Sequence, residues 1–166
     1  MNPYLLDLME AEALEHLEVE VYYDTTWDEL WSYVGSKANP RWTWYLLERR
    51  SGVIAAWENG PREDAPLAAL LLKVAHLPLR VCYTDGLGAY ERLLPAHYDH
   101  VVERAQTWKI ERRHLNLRTH VKRLSRKTLC FSKSEHVHDN VIGMYIERHY
   151  YRHGRFRDAV LAHQRL

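Results

Sequence analysis

The chain has 166 residues, 46% of them apolar and 11% aromatic, which is enough for one domain with a sizeable core and excludes a disordered chain. It shows neither a run of eighteen apolar residues nor a charged-then-apolar leader, so no helical membrane span or secretory signal is expected and the cytoplasm is the expected compartment. The net charge of +1 conceals segregation: residues 1–100 hold 8 Lys+Arg against 16 Asp+Glu, a balance of −8, whereas residues 101–166 hold 15 against 6, a balance of +9. The basic half suits a polyanion such as nucleic acid; mutual neutralisation of the two halves or head-to-tail subunit pairing are the other readings. Cys82 and Cys130 are too few for a disulfide framework or a four-thiolate zinc site, and their apolar neighbours predict buried, reduced thiols.

Taken in order, Asn2-Pro3 caps an amphipathic helix carrying Leu5, Leu6, Met9, Ala13 and Leu17, with an acidic polar side. This is either an arm for another subunit or the trimmed end of a longer protein. From Val19 the pattern turns β-rich: VEVYY, then Leu30–Val34 ending at Gly35, then RWTWYLLERRSG and VIAAWENG, which predicts two or three antiparallel strands with turns at 35–40 and near Ser51-Gly52. Asn59-Gly60-Pro61 closes that segment, and residues 65–76 form an apolar helix stopped by Pro78. Residues 79–83 read as a strand buried on both faces, ending in Thr84-Asp85-Gly86. A helical turn at 90–94 and a strand within 97–102 follow.

Next comes the stretch Gln106–Ser134, long, basic and free of Gly and Pro, which predicts one long helix. Ile110, Leu117, Val121 and Leu124 stack on one of its faces, and Glu111, Leu115, Arg118 and Lys122 form the adjoining stripe. A last helix, 135–151, trails into a basic tail. The order β-β-β-α-β-α-β-α-α predicts an α/β protein with a ribonuclease-H-like, mixed five-stranded sheet flanked by helices, the long basic helix carrying the third acid. In that topology the first strand lies beside the fourth, so Asp28 and Asp85 converge.

Phosphoryl transfer on nucleic acid is served by two hard cations held by carboxylates from separate elements. Asp28, Asp85 and Glu111 meet that requirement. Each has a plainer reading: Asp28-Glu29 as an exposed turn with Asp24 as rival acid, Asp85-Gly86 as a simple turn, and Glu111 as a solvated acid favoured by the helix dipole. Asp28 is preferred to Asp24 because an apolar strand leads directly from it. His136 and His138, an alternating pair without companion cysteines, read as surface or packing residues rather than zinc ligands. Trp27, Trp31, Trp42 and Trp44 read as core or interface, and Trp108 as a stacking partner for DNA.

These residues resemble the DDE transposases of small bacterial insertion sequences of the InsB kind, whose full enzyme is an InsA–InsB fusion. The resemblance rests on Asp28-Glu29-Leu30-Trp31 with Tyr33-Val34-Gly35, Thr84-Asp85-Gly86, Ile110-Glu111-Arg112 with Asn116-Leu117-Arg118, Arg123-Leu124-Ser125-Arg126-Lys127, Phe131-Ser132-Lys133-Ser134, and His138-Asp139 with Val141-Ile142-Gly143. It implies a catalytic domain over 19–153, between an acidic arm at 1–18 and a basic tail at 154–166. It further implies a metal-binding catalytic triad of Asp28, Asp85 and Glu111, two Mg²⁺ or Mn²⁺ ions, and DNA strand cleavage and transfer. Arg112, Asn116, Arg118, Lys122, Arg123, Arg126, Lys127 and Lys133 are expected to contact the DNA backbone or to orient Glu111, with Trp108 beside the DNA. The expected partners are double-stranded DNA, as element ends and as target, and a second copy of the chain, since two ends must be held together. Fusion to an N-terminal zinc-finger and helix-turn-helix part and a bacterial, nucleoid-associated location complete the expectation. The alternatives are a non-catalytic DNA-binding or assembly subunit and a hydrolytic nuclease on the same fold.

Overall fold

The computed structural model describes residues 23–103, 107–125 and 129–152, with the backbone alone at 107–110 and 151–152. The expected N-terminal helix and basic tail lie outside these residues. Three antiparallel strands open the fold: β1 (Tyr23–Tyr33), β2 (Pro40–Glu48) and β3 (Ile54–Gly60). Helix α1 (Asp64–Val74) crosses over to β4 (Leu79–Thr84), helix α2 (Gly88–Leu93) leads to β5 (Asp99–Val102), and helix α3 (Thr107–His120) follows. A 3₁₀ turn at Lys122–Leu124 and helix α4 (Glu135–Ile146), continued by a wider helical turn at Glu147–Arg152, close the described chain.

The sheet order is β3-β2-β1-β4-β5, with β4 and β5 parallel to β1 and the hairpins antiparallel. Successive side chains of β2 point to opposite faces, and both faces are covered. Trp44 and Leu46 join Trp27, Leu67, Leu70, Val74, Cys82 and Tyr90 under α1 and α2. Tyr45 and Leu47 join Leu30, Ile54, Leu117, Val121, Leu124, Ile142 and Ile146 under α3 and α4. The result is a three-layer sandwich whose central strand, β1, is the one that carries Asp28.

The structure corrects the sequence reading in three places. Residues 23–33 form one eleven-residue strand in place of the expected separate β-rich segments, and Asp28, expected before or within the first core strand, lies in its middle rather than in an exposed turn. Among the described residues, the basic stretch is helical only to His120, and Val121 is extended. Leu117, Val121 and Leu124 are nonetheless all buried, so the apolar face survives the change of backbone. Ser125 Oγ donates to the Arg118 carbonyl at 2.9 Å, satisfying one of the acceptors that a helix end leaves open. Cys82 is buried as expected, but Cys130 is exposed.

Candidate active site

Asp28 and Asp85 come together because β1 and β4 run parallel. The last paired residues are Thr26 and Tyr83, and two residues further along each chain stand Asp28 and Asp85. Among the described residues, Asp28, Glu29 and Asp85 each place a carboxylate oxygen within 4.8 Å of the other two. These acids differ in environment. Asp28 is largely buried, its Oδ1 accepts the Glu29 N–H at 2.8 Å, and its Oδ2 lies 3.3 Å from His114 Nε2. Burial raises its pKa to about 7; the Glu29 N–H opposes that shift, and the neighbouring charges of Glu29 and Asp85 add to it.

Asp85 is exposed just past the end of β4, and its Oδ1 accepts the Leu87 N–H at 3.0 Å. Gly86 turns the chain at φ +89°, where a Cβ would come within 2.9 Å of Val102. The Asp-Gly pair therefore serves as a turn and presents an acid at the same time. Glu29 points to the other face of β1, where Arg62 donates to Oε1 through two nitrogens at 3.1 and 2.5 Å and the Tyr90 hydroxyl donates to Oε2 at 3.1 Å. Burial raises its pKa, against the lowering effect of the Arg62 hydrogen bond.

A cavity of roughly 500 Å³ opens over Asp28 and Asp85. Glu111, exposed on α3, lines it together with Arg112, His114 and Asn116, although Glu111 lies outside the 4.8 Å cluster. The β2–β3 turn forms another part of the lining. There the Glu48 carboxylate accepts the N–H groups of Arg50 at 2.8 Å and Ser51 at 2.6 Å. Gly52 has φ +65°, and a Cβ there would sit 2.3 Å from Arg113 of α3, so turn and helix interlock through the missing side chain.

A match to the IS1 transposase family model spans residues 23–152. The chain belongs to the IS1 transposase family. This transposase is 42% identical over 122 residues to the insertion element iso-IS1n protein InsB of Shigella dysenteriae, covering 74% of this chain and 92% of that one. It is 43% identical over 124 residues to the IS1 InsB protein of Shigella flexneri, covering 74% and 94%. Its fold is similar to the catalytic core domain of BIV integrase, with TM-score 0.53, 10% identity, and 80% and 86% coverage. It is also similar to a chain of the simian T-cell lymphotropic virus intasome in complex with PP2A regulatory subunit B56 gamma, with TM-score 0.57, 16% identity, and coverage of 82% of this chain and 52% of that one. The transposase thus has a ribonuclease-H-like fold and is a DDE transposase catalytic domain, a polynucleotidyl transferase of a class that uses divalent metal and acts on DNA. Among the described residues no helix is long and apolar enough to cross a membrane.

The remaining sequence-derived positions of the transposase are spread more widely. Arg112 and Asn116 share the acid-lined cavity, and Arg118 is half-buried on α3. Lys122 and Arg123 line a second cavity, and Lys133 is exposed. Arg126, Lys127 and the Trp108 side chain lie outside the described residues. Sequence reasoning gave no part in the site to Glu29 or His114, and it placed the turn near Ser51-Gly52 without bringing it to the site. His114 follows Glu111 by three residues, a spacing that sets both on one helix face and was available as a signal. No local pattern announced that a turn between β2 and β3 would reach α3.

Proposed function

We propose that Asp28, Asp85 and Glu111 are the catalytic, metal-holding acids with which this transposase cuts DNA at element ends and joins a 3′-hydroxyl to target DNA. The convergence of Asp28 and Asp85 beneath a cavity that Glu111 also lines carries this reading. The donors fit Mg²⁺ or Mn²⁺, two ions in all, because every one is a carboxylate oxygen. The high pKa of Asp28 supports the fit, since a buried carboxylate crowded by like charges favours a proton or a cation. Bound there, divalent ions supply Lewis-acid stabilisation to the attacking and departing oxygens.

The protein's own groups do the rest. Arg62 and Tyr90 engage both Glu29 oxygens, so Glu29 supports the site as a neutralised neighbour and leaves Asp28 and Asp85 as the open donors. Its backbone N–H holds Asp28 in place. Arg112 and Asn116, in the same cavity, hold the phosphates beside the scissile bond. Arg118, Lys122, Arg123, Arg126, Lys127, Lys133 and Trp108 contact DNA further away. The catalytic domain comprises residues 19–153, flanked by the acidic arm and the basic tail. It acts as a dimer or higher oligomer in the nucleoid, with an N-terminal zinc-finger and helix-turn-helix part reading the element ends.

The test is Mn²⁺ calorimetry on the purified chain with short duplex DNA, together with a strand-transfer assay. Asp85→Asn is expected to abolish Mn²⁺ binding, and Asp85→Asn and Glu111→Gln each to abolish transfer while the fold persists. Mn²⁺ binding that survives Asp85→Asn, or transfer that survives either change, would overturn the assignment.

A further inference from the structure

Helix α3 meets the acid-bearing part of the fold through two consecutive side chains. Arg113 lies against Gly52 of the β2–β3 turn, where a Cβ would come within 2.3 Å of it. His114 reaches Asp28 on the central strand, and its Nε2 stands 3.3 Å from Asp28 Oδ2. That nitrogen is shut off from solvent. The imidazole also meets the Tyr45 ring edge-on, with centroids 5.8 Å apart and planes at 83°. Tyr45 is fully buried and lies directly opposite Asp28 in the β1–β2 register, so the two side chains share one face of the sheet. The His114 ring is thereby set between a packed aromatic and the Asp28 carboxylate.

We propose that His114 is a positioning residue: donating from Nε2, it fixes the orientation of the Asp28 carboxylate and the seat of α3 on β1, and so the spacing of Asp28 and Glu111. The inference rests on the reading that these two acids hold metal. Asp28 Oδ1 already accepts the Glu29 N–H, so a second donor at Oδ2 stops the carboxylate from turning about its Cβ–Cγ bond. A carboxylate oxygen has two lone-pair directions, and each oxygen keeps one for a cation. Imidazole suits the place because it donates one N–H without adding charge, whereas Lys or Arg would set a full positive charge beside the ion. A separation of 3.3 Å is long for a hydrogen bond, and contacts of this kind often tighten when an active site is loaded. Glu111 precedes His114 by three residues on one helix face, and both line the cavity, so the tie at His114 governs where Glu111 stands.

The experiment uses two substitutions that divide the properties of the imidazole. His114→Gln keeps an N–H donor at similar reach and loses the ring; His114→Phe keeps a ring against Tyr45 and has no donor. In calorimetry with short duplex DNA, Mn²⁺ affinity is expected to fall at least about tenfold in His114→Phe and to recover to within about threefold of wild type in His114→Gln. Strand transfer should keep the same order, with kcat falling and the KM for DNA unchanged. Equal Mn²⁺ affinity in the two variants, or weaker binding in His114→Gln, would overturn the proposal. Imidazole nitrogen NMR on the metal-free chain at about pH 8 needs no substitution at His114, so it holds even where a variant fails to fold. It is expected to place the proton on Nε2 and to show that signal move in Asp28→Asn; a proton on Nδ1, or an unmoved signal, would overturn the tie. Calorimetry of Asp28→Asn keeps the two readings apart. Mn²⁺ binding that survives Asp28→Asn would sink Asp28 as a metal ligand, whereas binding lost there and kept in His114→Phe would sink the positioning role alone.

Discussion

Replacing Asp28 by Asn should make the metal-free protein more stable while destroying its activity. Asp28 titrates near 3.8 in an open chain and at about 7 in the folded protein. A group with a raised folded pKa lends stability fully below its unfolded value and loses it as pH rises through its folded value. Ionised Asp28 therefore burdens the fold increasingly from about pH 4 to about pH 7, by roughly 4 kcal/mol in all at about 1.4 kcal/mol per pKa unit. Asn keeps the acceptor for the Glu29 N–H but carries no charge. With EDTA at about pH 8, Asp28→Asn is expected to gain roughly 2–4 kcal/mol, or very roughly 5–15 °C in melting temperature at this chain length, and less than half of that near pH 5. Differential scanning fluorimetry over a pH series with and without Mn²⁺ measures this directly. Mn²⁺ should raise the melting temperature of the wild type and leave the variant unmoved. A variant that melts lower than wild type at every pH, or runs parallel to it from pH 5 to 8, would refute the reasoning.

Glu111→Gln changes an exposed side chain and is expected to shift unfolding free energy by less than about 0.5 kcal/mol in urea melts while strand transfer disappears. Gly52→Ala puts a Cβ 2.3 Å from the Arg113 guanidinium at a positive φ, so a loss of about 1–3 kcal/mol is expected, with weakened activity because turn and helix both line the active cavity. His138→Ala leaves the hydroxyls of Ser32 and Ser132 without their shared partner in a buried site, and chemical denaturation should show a loss of about 2–4 kcal/mol. Retained stability in that variant would show that the network does not support the fold.

The buried histidine shows how far sequence reading reaches. In sequence His138 reads as a surface or packing residue, and it is buried, yet its two serine partners come from β1 and from the segment before α4, and nothing in local spacing pairs them. A polarity follows from these contacts: Ser32 donates to the Arg41 carbonyl, so it accepts from His138 Nε2–H, and Nδ1 is left to accept from Ser132. Burial lowers the pKa of His138, in keeping with this neutral tautomer.

By itself the sequence determined the identities of the strands, the helix faces and the candidate acids, because alternation along a strand and three-to-four spacing along a helix are local properties. The element order suited a ribonuclease-H-like topology with β1 beside β4. A crossover placing β4 beside β3 would satisfy the same connections, so the pairing of β1 with β4 and the meeting of Asp28 and Asp85 were fixed by the assembled sheet. Only the tertiary structure decided where the basic helix stops, because Val121 and Leu124 reach the core as well from an extended residue and a 3₁₀ turn as from an α-helix. It likewise decided that Glu29 turns to Arg62 and Tyr90, that His114 stands at Asp28, and that the basic residues divide between two cavities, the first of which they share with five acids. Those outcomes depend on contacts between residues far apart in the chain, whose geometry exists only once the sheet has assembled and its two faces have been covered.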